Sequence, residues 1–81
     1  MIRLISVSPV GDGWTVRIEP FDNEMIFLSG AKAESAARRM GRTIAKGGET
    51  ADIRIFLRDG SLAARFVCAA ASKDGLQEKY G

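Results

Sequence analysis

Eighty-one residues make one domain, and a chain this short buries only about 60% of the surface that its unfolded form exposes, so its core is thin. A single cysteine, Cys68, and no histidine exclude an intramolecular disulfide and the usual zinc sites, while 46% hydrophobic and 27% charged residues place the chain among globular rather than disordered sequences. Self-association is the remaining staple for so small a core, and the net charge of +2 selects no partner by itself.

The opening MIRLISVSPV lacks a basic start followed by a long apolar run and a small-residue cleavage site, so no secretory signal is expected. No apolar run reaches the roughly 20 residues that span a bilayer, so no membrane partner is expected either. A lone thiol in such a chain predicts a reducing, cytoplasmic setting.

Ile2 to Val7 is apolar and β-branched and predicts a first strand, ended by the turn formers Ser8 to Gly13. From Trp14 the alternation is clean, with Trp14, Val16 and Ile18 on one face and Thr15, Arg17 and Glu19 on the other, which predicts a half-buried second strand. Trp14 is expected between helix and sheet, near Ala37 or Met40. Pro20 with Asp22-Asn23 breaks this strand, and Glu24 to Leu28 resumes as a third whose faces the pattern leaves open.

Ser29 is a helix N-cap candidate. Beyond it Ala33, Ala36, Ala37, Met40 and Ile44 form one stripe, with Lys32, Glu34, Arg38, Arg39, Arg42 and Lys46 facing away, and Gly47-Gly48 closes the helix. Ala51 to Arg58 and Ser61 to Ala69 read as a hairpin about a two-residue Asp59-Gly60 turn. Residues 1–69 thus form a two-layer α+β domain, strand-strand-strand-helix-strand-strand, with one helix on a mainly antiparallel sheet. Residues 70–81 read as a flexible tail. The second sheet face has no covering element.

The hairpin register predicted by the turn sets Arg54 opposite Arg65 and points Arg54, Phe56, Arg58, Ala63, Arg65 and Val67 away from the helix, with Leu57 and Leu62 inward. Like charges directly opposite cost up to about 1 kcal/mol, so a compensating partner is expected. Three could serve: Glu19 from the second strand, an anion such as nucleic-acid phosphate with Phe56 stacking a base, or a second copy of the chain. Arg17, Arg54, Phe56, Arg58 and Arg65 are therefore the candidate anion- or partner-binding residues. Arg38, Arg39, Arg42 and Lys46 form a secondary basic ridge, which is either a solvated helix face or a phosphate-contacting one.

Catalytic signatures are missing. Cys68 continues the inward alternation of the last strand and reads as a small core residue, and Asp12, Asp22, Asp59 and Asp74 fall in turns, where aspartate is favoured for backbone reasons. No phosphate loop, cofactor, metal or small-molecule substrate is implied. The expectation is a non-enzymatic interaction domain that forms a homodimer or larger homo-oligomer through the helix-free face or a sheet edge, with weak, sequence-tolerant nucleic-acid binding as the alternative.

Gly13-Trp14-Thr15-Val16, the alanine-lined helix and Arg58-Asp59-Gly60 opening the last strand together resemble a small bacterial family catalogued only as a domain of unknown function, over about residues 3 to 67. Its members read G-W-x-V, T-x-x-E-A and R-D-G-x-I. Here Ser29 stands at the threonine cap and Lys32 at the capping glutamate, so the capping box is lost. Tyr80-Gly81 is similar to the family's Ser-Tyr-Gly ending. The resemblance implies the same fold in a small cytoplasmic bacterial protein and no assigned activity.

Overall fold

The computed structural model describes residues 2–19 and 24–71. Strands β1 (Ile2–Val10), β2 (Gly13–Ile18) and β3 (Glu24–Phe27) precede helix α1 (Gly30–Lys46), and β4 (Thr50–Phe56) and β5 (Leu62–Cys68) follow it. They form the expected α+β architecture, one helix on a five-stranded sheet of order β3-β2-β1-β4-β5. Only β1 and β4 run parallel; the other neighbours are antiparallel. A parallel pair needs a crossover, which β2, β3 and α1 supply together.

β1 runs three residues further than its composition predicts, through Pro9 to Val10. Val10 pairs with Gly13, leaving Gly11 and Asp12 as a two-residue loop. Gly11 has φ +54°, the positive value that a type II′ turn demands at its first central position.

Period-two alternation sorts the strands into two faces. Toward the helix lie Ile5, Val7, Val16 and Ile53, all fully buried, against Ala33, Ala36 and Ala37. These alanines bring the helix axis close to the sheet. Closest of all is Gly41, where a Cβ would fall 2.8 Å from Ile53 Cδ1 and 3.1 Å from Cys68 Sγ. A mid-helix glycine costs about 1 kcal/mol relative to alanine, so its presence reflects this contact rather than helix propensity. Cys68 is a half-buried core residue, as expected.

Ser29 caps the helix in extended conformation, its Oγ accepting from Lys32 N–H at 3.2 Å. At the other end Gly48, at φ +96°, donates to Ala45 O while Glu49 N–H reaches Ile44 O, which is the Schellman pattern. Trp14 lies on the helix side as predicted, but beneath Gly30, with ring atoms 3.0–3.4 Å from where that residue's Cβ would stand. Met40 is ten residues further along the helix, about 15 Å away, so the expected neighbourhood is displaced toward the helix N-terminus.

The β4–β5 connection differs from its prediction. Leu57 N–H donates to Ser61 O and Gly60 N–H to Leu57 O, so the loop is Arg58 to Gly60, three residues rather than two, with Gly60 at φ +91°. That shifts the register by one and pairs Phe56 with Leu62. A bulge between Ile55 and Phe56 then restores it, and Ile55–Ala64, Arg54–Arg65 and Ile53–Phe66 pair as predicted. Two irregularities cancel. Their local residue is that Leu57 and Leu62 are about half exposed instead of buried. Beyond β5, Ala70 and Ala71 are tied by backbone N–H bonds to Thr50 Oγ1 and Ala45 O; residues 72–81 of the expected tail, like the break at 20–23, lie outside the described residues.

Candidate functional site

The helix-free face is built in rows across the strands. One row runs Glu24, Arg17, Ser6, Arg54, Arg65, spanning all five strands. A second runs Leu4, Asp52, Val67. On the other side of the charged row Ile26 pairs with Thr15 and Thr15 with Ser8, while Phe56 pairs with Leu62. A charged stripe is thus flanked by largely apolar margins. Ile2, Val10, Ile26, Leu62 and Val67 are all roughly half exposed or more on this face.

Arg54 and Arg65 do oppose each other, and the compensating partner is Asp52. Strand alternation puts residue 52 on the same face as residue 54, and the antiparallel pairing sets it diagonally from residue 65. Arg65 grips the carboxylate bidentately, Nε to Oδ1 at 2.9 Å and NH2 to Oδ2 at 3.0 Å, and Arg54 NH2 adds a bond to Oδ2 at 3.1 Å. The carboxylate is buried, at 6% exposure, while both guanidinium groups reach water. The Arg65 hydrogen bonds hold the Asp52 carboxyl below the usual carboxylate range against the opposing effect of burial, with Arg54 helping.

Glu19 is not the partner. It belongs to the β2 side, whose neighbour is β1, and its N–H donates to Leu4 O, so β1 stands between it and β4. Arg17 pairs across strands with Glu24 at 3.5 Å. Arg58 sits in the hairpin loop instead of on the face, donating to Gly11 O at 3.1 Å and so linking the two loops at that end of the sheet. Phe56 is half-buried beside Leu62, not a free platform. The predicted cluster therefore separates into an Arg54–Asp52–Arg65 triad in which one carboxylate serves two cations, a separate Arg17–Glu24 pair and a loop tether.

Helix cations are arranged otherwise. Arg38 leaves the predicted ridge: it pairs with Glu34 at 3.3 Å and its guanidinium carbon lies 3.9 Å from the centre of the Phe66 ring. Lys32, Ser35, Arg39, Arg42 and Lys46 are all exposed and follow a 3-4-3-4 spacing, which is a straight stripe on a helix. Two shallow clefts flank the helix, one lined by Phe27, Lys32, Ser35 and Arg39 and the other by Ile18, Arg39, Met40 and Ile44. Among the described residues no three His, Cys, Asp or Glu side chains come together as metal ligands, and no helix is long and apolar enough to cross a membrane.

Asp52 is the residue that sequence reasoning missed. Its signal was present, because an acid two positions before Arg54 in a strand shares its face. No family model, curated protein or solved structure matches the chain, and the resemblance to the family of unknown function rests on its short motifs alone.

Proposed function

We propose that this domain is a non-enzymatic, cytoplasmic self-association module in which two copies meet through the helix-free sheet face. The observation that carries this reading is a pairing of properties on one surface: large exposed aliphatic side chains from β1, β2's partner β3 and β5, around arginines that are each already paired with an acid of the same face, leaving these ion pairs one net positive charge. A face whose ion pairs leave one net positive charge, with every arginine already paired, has little to offer a polyanion. Covering its apolar margins with a second such face removes them from water.

Size and charge pattern agree. Five strands about 4.8 Å apart and roughly 20 Å long present nearly 500 Å² of flat face, so two copies bury about 1,000 Å², enough for a specific but weak interface. With a two-fold axis along β1 between the copies, β3 of one lies over β5 of the other and β2 over β4, which brings Glu24 of one copy above Arg65 of its partner and Arg17 above Arg54, two arginines that each keep an acid of their own face. Thr15 Oγ1 and Arg54 Nε, buried on this face without a hydrogen-bond partner, are further signs that it is not optimised as a free surface. A half-buried free thiol suits a reducing compartment.

Sedimentation equilibrium tests the reading. The wild-type chain should approach twice its 8.7 kDa mass at micromolar to high-micromolar concentration, and Ile26→Lys with Val67→Lys should return it to monomer without unfolding, since both side chains are already more than half exposed. A wild-type monomer up to millimolar concentration rules the module out.

A further inference from the structure

The stripe along the outer side of α1 carries charge that no acid of the described fold pairs with. The helix holds five cations against one acid, a net +4, whereas the whole chain carries +2. Its one acid, Glu34, is taken by Arg38, and no described acid pairs with Lys32, Arg39, Arg42 or Lys46. These four are exposed, collinear with the hydroxyl of Ser35, and run from Lys32 to Lys46, about 21 Å at the helical rise. We propose that this stripe binds the phosphate backbone of double-stranded nucleic acid, without reading its sequence. This surface lies on the opposite side of the sheet from the association face, so the two activities stand or fall independently.

Three features select the duplex over other polyanions. The apolar side of α1 is packed on the sheet through Ala33, Ala36, Ala37 and Gly41, so the helix has no face left to insert into a bilayer. The stripe itself carries no aromatic side chain, and Phe27 in the cleft beside Lys32 and Arg39 is a single half-buried ring, not the series of platforms on which successive unpaired bases stack. A straight row of cations interleaved with a hydroxyl, lacking an apolar anchor within it, matches a rigid line of phosphates better than the buried hot spot of a protein partner. Arg38 takes no part: its guanidinium is turned onto Phe66.

The test is fluorescence anisotropy of a labelled duplex of mixed sequence titrated with the full chain at increasing salt. Four cations releasing counterions predict a slope of log K against log salt of about −3 to −4. Arg39→Ala, Arg42→Ala and Lys46→Ala combined should bring that slope to about −1, with the circular dichroism spectrum unchanged, whereas Arg17→Ala on the sheet face should leave it alone. Two duplexes of unrelated sequence should bind within about twofold of each other. The proposal is overturned if the triple variant binds as the wild type does, or if no binding is detected at low salt with protein at high-micromolar concentration. Equal or tighter binding of the single strand, of anionic phosphatidylserine vesicles or of poly-glutamate overturns it as well, each assigning the stripe to a different partner.

Discussion

The two sides of this molecule use the same residue, arginine, to opposite effect. On the sheet face Arg54 and Arg65 converge on one buried carboxylate and Arg17 has Glu24 across the strand gap. On the helix face Arg39 and Arg42 stand in a line of cations with no described acid beside them. The difference comes from periodicity. A strand brings residues two apart onto one face, so Asp52 cannot avoid Arg54; a helix brings residues three and four apart together, so Glu34 meets Arg38 and leaves the stripe through 32, 39, 42 and 46 untouched. Which acid shares a cation's face matters more than how many cations a segment contains.

The largest effect should come from removing the acid at the centre of the compensated side. Asp52→Ala leaves two opposed arginines without their counter-charge. We expect a loss of about 2–3 kcal/mol, below the 3–5 kcal/mol of a fully buried pair because both guanidinium groups are partly in water. For a domain of this size that lowers the melting temperature by roughly 10–20 °C. A melting point within experimental error of wild type would mean that the triad contributes nothing and that the two sides do not differ in kind.

Acid should expose the same asymmetry. The folded-state value of Asp52 is lowered, so its stabilisation is complete above the unfolded carboxylate value of about 3.9 and is lost as pH falls through its depressed folded value. Asp59 acts in the same direction, its carboxyl held down by the Ser61 hydroxyl and backbone N–H in the hairpin loop. Stability followed by urea denaturation should therefore decline as pH drops below about 4, and Asp52→Asn should flatten the part of that decline that Asp52 carries, leaving the part due to Asp59. An unchanged slope in the variant would show that other carboxylates govern acid unfolding.

Removing both arginines reverses a sequence-based expectation. A like-charge pair seen alone should be neutral or stabilising to delete. With Asp52 beneath it, Arg54→Ala with Arg65→Ala strands a buried carboxylate, and the double variant should lose about 1–3 kcal/mol of unfolding free energy in denaturant titrations and gain a raised, titratable Asp52. A more stable double variant would show that Asp52 finds water instead.

Much of the fold was readable because its signals are local. Serine at the helix start, paired glycines at its end, alternation in β2 and the alanine stripe each specify an element from within a few residues. Strand order was not readable: β1 is apolar on both faces, and only the assembled sheet reveals that it lies centrally with β4 as a parallel neighbour. The hairpin register was predicted correctly at Arg54–Arg65 although its loop length was not, since the bulge at Phe56 offsets the third loop residue. Among the site residues, exposure of Arg39, Arg42 and Lys46 followed from helical spacing alone. The displacement of Arg38 did not, because it depends on Phe66, twenty-eight residues away in sequence and adjacent only once β5 packs beside the helix.

A smaller effect tests that displacement. Arg38→Ala removes a cation over an aromatic ring and one side of an i, i+4 pair, worth about 0.5–1 kcal/mol and a few tenths respectively at a half-exposed site. Arg38→Lys should recover only part of it, since a guanidinium plane covers the ring better than an ammonium. Thermal melts that cannot separate the three proteins would return Arg38 to the solvated ridge.

The smallest effect belongs to the helix stripe, and its sign carries the argument. Arg42 has a like charge four residues to either side, at Arg38 and Lys46, and each such pair destabilises a helix by about 0.2–0.5 kcal/mol. Against this, a cation in the last turns favours the helix dipole by about 0.3–1 kcal/mol, a contribution that Lys46 at the final helical position still makes when Arg42 is gone. Alanine is also the better helix former. Arg42→Ala should therefore leave stability unchanged or raise it by a few tenths of a kcal/mol in dilute buffer, and the difference should vanish in high salt as the repulsion is screened. A row of side chains that the fold would be no worse without is what distinguishes this side of the molecule from the triad on the other. A loss of more than about 1 kcal/mol on Arg42→Ala, insensitive to salt, would instead give this arginine a structural role and remove it from the proposed phosphate contact.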